Sequence, residues 1–147
     1  MKSSLLALAL LAGSLMLGFP GSLQAETCSN GSLRGSFGLR ATGRTVAGGD
    51  LIVLGRFNFD GNGNLSAVLF IRRPDATNAT DTITGTYSVS PRCIVTDVWH
   101  SITGGDSTHT SVLTDRGNAY FILNTTEGSG IIISGDARKV FPKRDDD

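Results

Sequence analysis

Two histidines with nearby carboxylates are the residues of this chain best suited to acid–base or metal chemistry. His100 and His109 are the only histidines, and Asp97 and Asp106 lie close to them in the sequence. An imidazole beside a carboxylate can move protons, and both groups can bind a metal ion. A metal site needs three or four converging ligands, however, and the sequence leaves the strand faces of these residues open. We therefore favour ordinary histidines on strand surfaces and expect no metal and no cofactor.

A second oxygen-rich group has the spacing that starts a calcium-binding loop. Asp60, Asn62 and Asn64 occupy alternate positions, as the first ligands of such a loop do. The full pattern requires a glycine next, but Leu65 follows, and no acidic residue stands at the distance of the last ligand. Asp-Gly and Asn-Gly steps also supply the positive φ angles of tight turns. The segment therefore predicts a hairpin turn between two strands.

The two cysteines, Cys28 and Cys93, are predicted to form one disulfide, which is the default in an exported protein. A redox or metal-binding pair is the weaker alternative, because there is no C-x-x-C spacing and no neighbouring histidine. The bridge would join the start of the mature chain to its middle.

The beginning of the chain has the layout of a secretory signal peptide. Lys2 precedes an apolar run from Leu5 to Phe19, and Ala25 offers a small residue at the cleavage point. The run is shorter than the roughly 20 apolar residues of a membrane span, so a retained anchor is the weaker alternative. We therefore expect a secreted or periplasmic bacterial protein. The predicted organisation is a signal peptide at 1–25, a folded domain at 26–140 and a polar tail at 141–147.

The charge balance argues against two classes of partner. The chain has 13 basic and 13 acidic residues, and removing the leader with Lys2 leaves a net charge of −1. A nearly neutral surface has no electrostatic attraction for nucleic acid or for an anionic membrane. We expect neither as a partner of the mature chain, and its oligomeric state stays open.

Eight strand-like runs follow the leader at nearly even spacing. Most alternate apolar and polar residues with a period of two, and no stretch sustains the 3.6-residue period of a helix. Apolar residues on both faces of the second and third runs suggest strands covered on both sides. The predicted strands are Ser32–Thr42, Leu51–Asp60, Asn64–Arg73, Thr82–Val89, Cys93–Ile102, Thr108–Thr114, Ala119–Asn124 and Ile131–Val140.

Evenly spaced strands joined by hairpins predict an all-β fold, an antiparallel up-and-down barrel of eight strands, with a β-sandwich as the alternative. The barrel is favoured because glycines fall on the core-facing side of the strands, where a small barrel must bend sharply. Closure would also remove exposed sheet edges. These inward glycines are Gly35, Gly55, Gly85 and Gly135.

Several turn and strand motifs carry a family resemblance. They are Cys28 to Gly38 with its Gly-Ser-Phe-Gly, Phe57 to Leu65, Gly85 to Cys93, and Ser134 to Arg138. Their order resembles small exported bacterial proteins of unknown function that are similar to the allene-oxide-cyclase-like, calycin-type barrels of eight strands. The resemblance covers about Cys28 to Val140 and implies the barrel fold. No catalytic residue of the plant cyclases is recognised at a matching position, so it implies no active-site residues.

The expected function follows from an exported barrel without a catalytic motif. We expect non-enzymatic binding of a small apolar ligand or of a partner surface, and a cyclase or isomerase acting inside the barrel is the alternative. Aromatic side chains would either line a cavity or fill a packed core. The candidate cavity-lining residues are Phe57, Phe59, Tyr87, Trp99 and Phe121.

Overall fold

A computed structural model describes residues 27–75 and 77–140, and these fold into one closed barrel of eight strands. The predicted signal peptide and polar tail lie outside the described residues. No helix in the described part of the chain is long and apolar enough to cross a membrane. The strands are β1 (Arg34–Thr45), β2 (Gly49–Asp60), β3 (Asn64–Arg72), β4 (Asn78–Val89), β5 (Ile94–Ser101), β6 (Gly105–Thr114), β7 (Ala119–Asn124) and β8 (Ile131–Lys139).

Each strand pairs with the next in antiparallel fashion, and β8 closes the barrel on β1. The closing register runs from Phe37 opposite Lys139 to Thr45 opposite Ile131. Because both edges of the sheet are paired in this way, the barrel prediction is confirmed and the sandwich alternative is wrong. The alternation predicted from the sequence directs one face inward, as in β3, where Leu65, Ala67 and Leu69 are buried.

Inward glycines let neighbouring strands coil tightly. A Cβ atom on Gly85 would lie 2.1 Å from the carbonyl oxygen of Val98, and one on Gly135 would lie 2.3 Å from that of Arg40. Real Cβ atoms do not approach a backbone oxygen so closely, so glycine is needed at both positions. This agrees with the expectation that core-facing glycines permit the curvature of a small barrel.

The N-terminal segment covers one end of the barrel, which we call the closed end. A short 3₁₀ turn at Asn30–Ser32 is held there by the Asn30 side chain, which accepts a hydrogen bond from the Val89 backbone at 2.8 Å. The Tyr87 hydroxyl donates to the Leu33 carbonyl at 2.8 Å. Cys28 and Cys93 form the predicted disulfide at this end, with Cα atoms 5.0 Å apart.

Four strands are longer than predicted at the opposite, open end. β1 continues to Thr45, and β2, β4 and β6 begin earlier, at Gly49, Asn78 and Gly105. In β4, the polar residues before the predicted start at Thr82 pair with the end of β3. Backbone pairing with an existing neighbour extends a strand even where the side chains carry no apolar alternation.

The expectation that β2 and β3 are covered on both sides is wrong within the described residues. Leu54 and Phe70 are directly opposite each other on the outer face and are 53% and 57% exposed. No second layer of described residues covers them, because the chain forms a single cylinder.

Candidate functional site

A cavity of about 490 Å³ occupies the open half of the barrel. The loops that join β1 to β2, β3 to β4, β5 to β6 and β7 to β8 surround this end. Its walls are mainly aliphatic side chains that point inward from six strands. These are Leu39, Leu51, Val53, Leu69, Ile71, Ile83, Ile122 and Ile133. The cavity therefore offers an apolar surface that a small molecule could enter from one end.

One buried carboxylate stands among the polar groups that accompany these aliphatic side chains in the cavity wall. Asp81 lines the cavity from β4 and is 7% exposed. The Ser101 hydroxyl donates to its Oδ2 at 2.5 Å, whereas Oδ1 has no hydrogen-bond partner among the described residues. A buried polar atom without a partner is costly, so this oxygen is available to a bound molecule.

A buried histidine–carboxylate pair borders the same cavity at its inner end. His109 Nδ1 lies 3.0 Å from Asp97 Oδ1, and the Asn124 amide donates to His109 Nε2 at 3.2 Å. This arrangement assigns the ring proton to Nδ1, which donates to Asp97. Trp99 packs against the imidazole with ring centres 3.7 Å apart. Together these contacts hold the imidazole in one orientation.

Burial dominates the electrostatics of this pair. It raises the pKa of the Asp97 carboxyl, and the hydrogen bond from His109 opposes that rise. Burial also raises the pKa of the Tyr120 hydroxyl, which the negative charge of Asp97 raises further. Tyr120 therefore keeps its proton, and its hydroxyl has no hydrogen-bond partner in the described structure.

The five candidate cavity-lining aromatics occupy three different places. Trp99 lines the cavity. An aromatic cluster buries three of them, Phe57, Phe59 and Tyr87, together with Phe37 and Tyr120. In it the rings of Phe59 and Tyr87 pack edge to face, with their centres 5.1 Å apart. This cluster fills the barrel towards the closed end. The prediction that Phe121 lines the cavity is corrected, because this side chain lies on the outer face of β7 and is 61% exposed. Its neighbours Tyr120 and Ile122 point inward.

The structure separates the two histidines instead of bringing them together. His100 and Asp106 are register partners on the outer face, where Nδ1 and Oδ1 are 2.8 Å apart and both side chains are exposed. His109 and Asp97 are register partners on the inner face. The surface expectation is right for His100 and wrong for His109, which is 6% exposed. No three His, Cys, Asp or Glu side chains cluster as metal ligands within the described residues.

The Asp60 segment forms the predicted hairpin turn. Its Oδ1 accepts the backbone N–H groups of Asn62 at 2.7 Å and Asn64 at 3.0 Å, and its Oδ2 accepts the Asn64 side-chain amide at 2.7 Å. These hydrogen bonds, that of the Asn64 side chain above all, lower the pKa of Asp60 to about 2. The carboxylate oxygens are thus engaged in closing the turn between β2 and β3.

Asp81 and Ser101 are the site residues that sequence reasoning missed. Asp81 lies just before the strand predicted from Thr82, although it shares the parity of Ile83, Tyr87 and Val89 along that strand. Extending that alternation backwards by one step would have placed it inside the barrel. For His109, the signal was its parity with the buried Ser111 and Leu113 in β6.

Comparison with known proteins supports the class of fold. No protein-family model and no curated protein matches this chain. Among solved structures, it is similar to a de novo designed fluorescence-activating β-barrel, with a TM-score of 0.53 and 13% identity. The match covers 74% of this chain and 94% of that chain. At this identity the likeness shows the fold alone, an eight-stranded antiparallel β-barrel.

Proposed function

We propose that this protein binds a small, mainly apolar molecule in the cavity at the open end of its barrel. The observation that carries the proposal is the cavity itself, whose volume of about 490 Å³ is bounded mainly by aliphatic surface, with the buried Asp81 carboxylate among a smaller number of polar groups. Ligand sites are typically apolar cavities of about 300–1,000 Å³ with a few placed polar groups. Barrels of eight strands are wide enough to hold one small ligand, and the similarity to the designed barrel extends to that architecture.

The inner boundary of the site favours entry from the open end. The aromatic cluster and the disulfide-linked N-terminal segment fill and cover the other end. A depression of about 580 Å³ on the outside of the barrel is a weaker site, because the Arg44–Asp50 ion pair at its rim is mostly exposed to solvent. Charges in water contribute little to binding.

Trp99 is the single tryptophan of the chain and lines the cavity, so its fluorescence reports on occupancy. We would titrate the protein with Nile red, a neutral apolar dye, and follow the emission of the dye and the emission of Trp99. Ser107→Phe places a ring in the cavity from β6, and Thr108→Phe places the same ring on the outer face next to it. We expect Ser107→Phe to weaken dye binding about tenfold or more, because it removes cavity volume, and Thr108→Phe to leave it unchanged. Equal binding by the two variants would contradict an interior site and favour binding through a partner surface.

We further propose that the protein is exported by bacteria after cleavage behind Ala25 and belongs with the allene-oxide-cyclase-like barrels that its motifs resemble. The Cys28–Cys93 bridge supports the export proposal, since disulfides persist in oxidising compartments. N-terminal sequencing of the periplasmic or secreted fraction should begin at Glu26. An intact N-terminus in the cytosol would contradict export.

The His109–Asp97 pair favours a second candidate function, a cyclase or isomerase. An imidazole held by a carboxylate beside an apolar cavity can act as a general base once the Asn124 amide gives up its hydrogen bond to Nε2. We would incubate the protein in D₂O with molecules that co-purify with it and measure deuterium uptake by mass spectrometry. Uptake that His109→Gln abolishes and His100→Gln preserves would support the enzyme, whereas no uptake in the unmodified protein would count against it.

A further inference from the structure

We propose that the molecule bound in the open-end cavity carries a protonated amine, which Asp81 holds. This inference rests on the proposed function and specifies the chemistry of its ligand.

Asp81 is a buried carboxyl group that makes no ion pair with a basic side chain among the described residues. Within the described residues, Arg44 forms an ion pair with Asp50, His100 contacts Asp106 and His109 contacts Asp97, and none of these contacts involves Asp81. Ser101 donates one hydrogen bond to Oδ2 and leaves Oδ1 unsatisfied. Removing a carboxylate from water costs several kcal/mol unless an opposite charge and further hydrogen bonds compensate. An ammonium group would supply both at once.

Two other charged side chains, Arg73 and Asp106, line the cavity, and because their signs are opposite they favour neither a cation nor an anion. Arg73 also acts on Asp75, whose pKa is lowered mainly by hydrogen bonds from Thr77 and further by the charge of Arg73. An anionic ligand would place a second negative charge near Asp81 in a surrounding of low polarity, where repulsion is strong. A neutral hydroxyl would satisfy Oδ1 without compensating the charge. A protonated amine on an apolar body therefore matches this wall best.

Three ligands of one shape separate these possibilities. Adamantylamine, adamantanol and adamantanecarboxylate share a compact apolar body and do not absorb where Trp99 emits. We would measure their dissociation constants from Trp99 emission and by calorimetry. We expect the amine to bind about tenfold more tightly than the alcohol, the factor given by about 1.4 kcal/mol from one charge-assisted hydrogen bond. The carboxylate should bind most weakly.

Two carboxylate variants identify the group responsible. Asp81→Asn has nearly the same shape and can keep its contact with Ser101, so we expect the amine to bind about tenfold more weakly and the alcohol to bind unchanged. Asp106→Asn is the control, since Asp106 is exposed at the cavity mouth, and it should preserve the preference for the amine. The preference in the unmodified protein also tests the inference if Asp81→Asn does not fold.

The outcomes distinguish this inference from the proposed function. An alcohol or carboxylate that binds the unmodified protein as tightly as the amine would overturn the amine inference, as would a preference that survives Asp81→Asn. If Nile red binds inside the barrel and none of the three ligands does, the inference fails while the interior site stands. If neither the dye nor the ligands bind, both proposals fail.

Discussion

At the scale of single residues, the two histidine–aspartate pairs show how position decides the value of the same contact. His100 with Asp106 and His109 with Asp97 have similar separations, 2.8 Å and 3.0 Å. The first pair is exposed, so water and salt screen it. The second is buried, so each side chain provides the hydrogen-bond partner that the other could not obtain from water.

Replacement of His109 by leucine should therefore destabilise the protein strongly. Asp97 would lose its hydrogen-bond donor inside the barrel, and removing one member of a buried pair costs about 3 kcal/mol or more. Urea unfolding at neutral pH would measure this loss. His100→Leu is the matched control, and we expect it to cost less than about 1 kcal/mol. Similar losses for both variants would show that burial does not set the strength of these pairs.

The pH dependence of stability should report on Asp97. Its pKa is raised in the folded state by burial, so the folded protein binds this proton more tightly than the unfolded chain does. The contribution of this group to the free energy of unfolding must then fall as the pH rises from about 4 through the raised pKa. Unfolding curves at several pH values should show this fall in the unmodified protein and not in Asp97→Asn. An identical pH profile for the two proteins would contradict the assignment.

At the scale of the elements, the inward glycines and the disulfide perform different tasks. Glycine on the inner face removes a Cβ atom where two strands approach each other most closely. The disulfide joins two points that are 65 residues apart in the sequence and attaches the N-terminal segment to the corner before β5. The glycines permit the curvature of the barrel, and the disulfide reduces the conformational freedom of the unfolded chain.

Gly85→Ala should destabilise the barrel by about 2 kcal/mol or more, because the new methyl group would overlap the Val98 carbonyl and force the β4–β5 pair apart. Gly38→Ala on the outer face of β1 is the control. Its Cβ would lie 3.6 Å from Val140, an ordinary contact, so we expect no loss and a gain of up to about 0.5 kcal/mol. Thermal unfolding of both variants tests the comparison, and equal stability of the two would refute the close approach at Gly85.

Loss of the disulfide should lower the free energy of unfolding by about 4 kcal/mol, the value that the chain-entropy model gives for a loop of 65 residues. We would compare urea unfolding of the oxidised protein with that of the Cys28→Ala, Cys93→Ala double variant. Because Asn30 and Tyr87 also hold the N-terminal segment, the variant should still fold. A loss below about 1 kcal/mol would mean that the unfolded chain is not appreciably restricted by the bridge.

At the scale of the whole molecule, closure divides the barrel interior into two halves. The aromatic cluster and the N-terminal segment fill and cover one half, and the aliphatic cavity lies in the other. Asp97 and His109 are at the boundary between them. Among the described residues, this asymmetry leaves the cavity accessible from the open end, and that access is the basis of the proposed ligand binding.

Hydrogen exchange should detect the closure directly. In a closed barrel the β1–β8 seam is an ordinary antiparallel pair, so its amides should exchange about as slowly as those that pair β2 with β3. In an open sheet the same amides would lie at an edge and exchange quickly. Residue-resolved NMR exchange on the oxidised protein measures both sets, and fast exchange confined to the seam would contradict a closed barrel.

The sequence by itself determined the all-β class, the eight strands in their order, the Asp60 hairpin turn and the Cys28–Cys93 bridge. These features depend on local alternation, on turn residues with positive φ and on the number of cysteines, all of which can be read along the chain. Within the folded domain, errors were concentrated where the local pattern is ambiguous. Residues 119 to 123 are all apolar, so periodicity could not show that Phe121 points outward.

Only the tertiary structure decided which groups meet inside the barrel. Asp81 enters the site because β4 already pairs with β3 from Asn78 onward, ahead of the alternating stretch that begins at Thr82. His109 meets Asp97 because the β5–β6 register places both on the inner face. Register and closure are set jointly by all eight strands, since a slip of one residue would reverse every side chain. That cooperative choice has no local signature, and so the position and polarity of the cavity became visible only in the folded barrel.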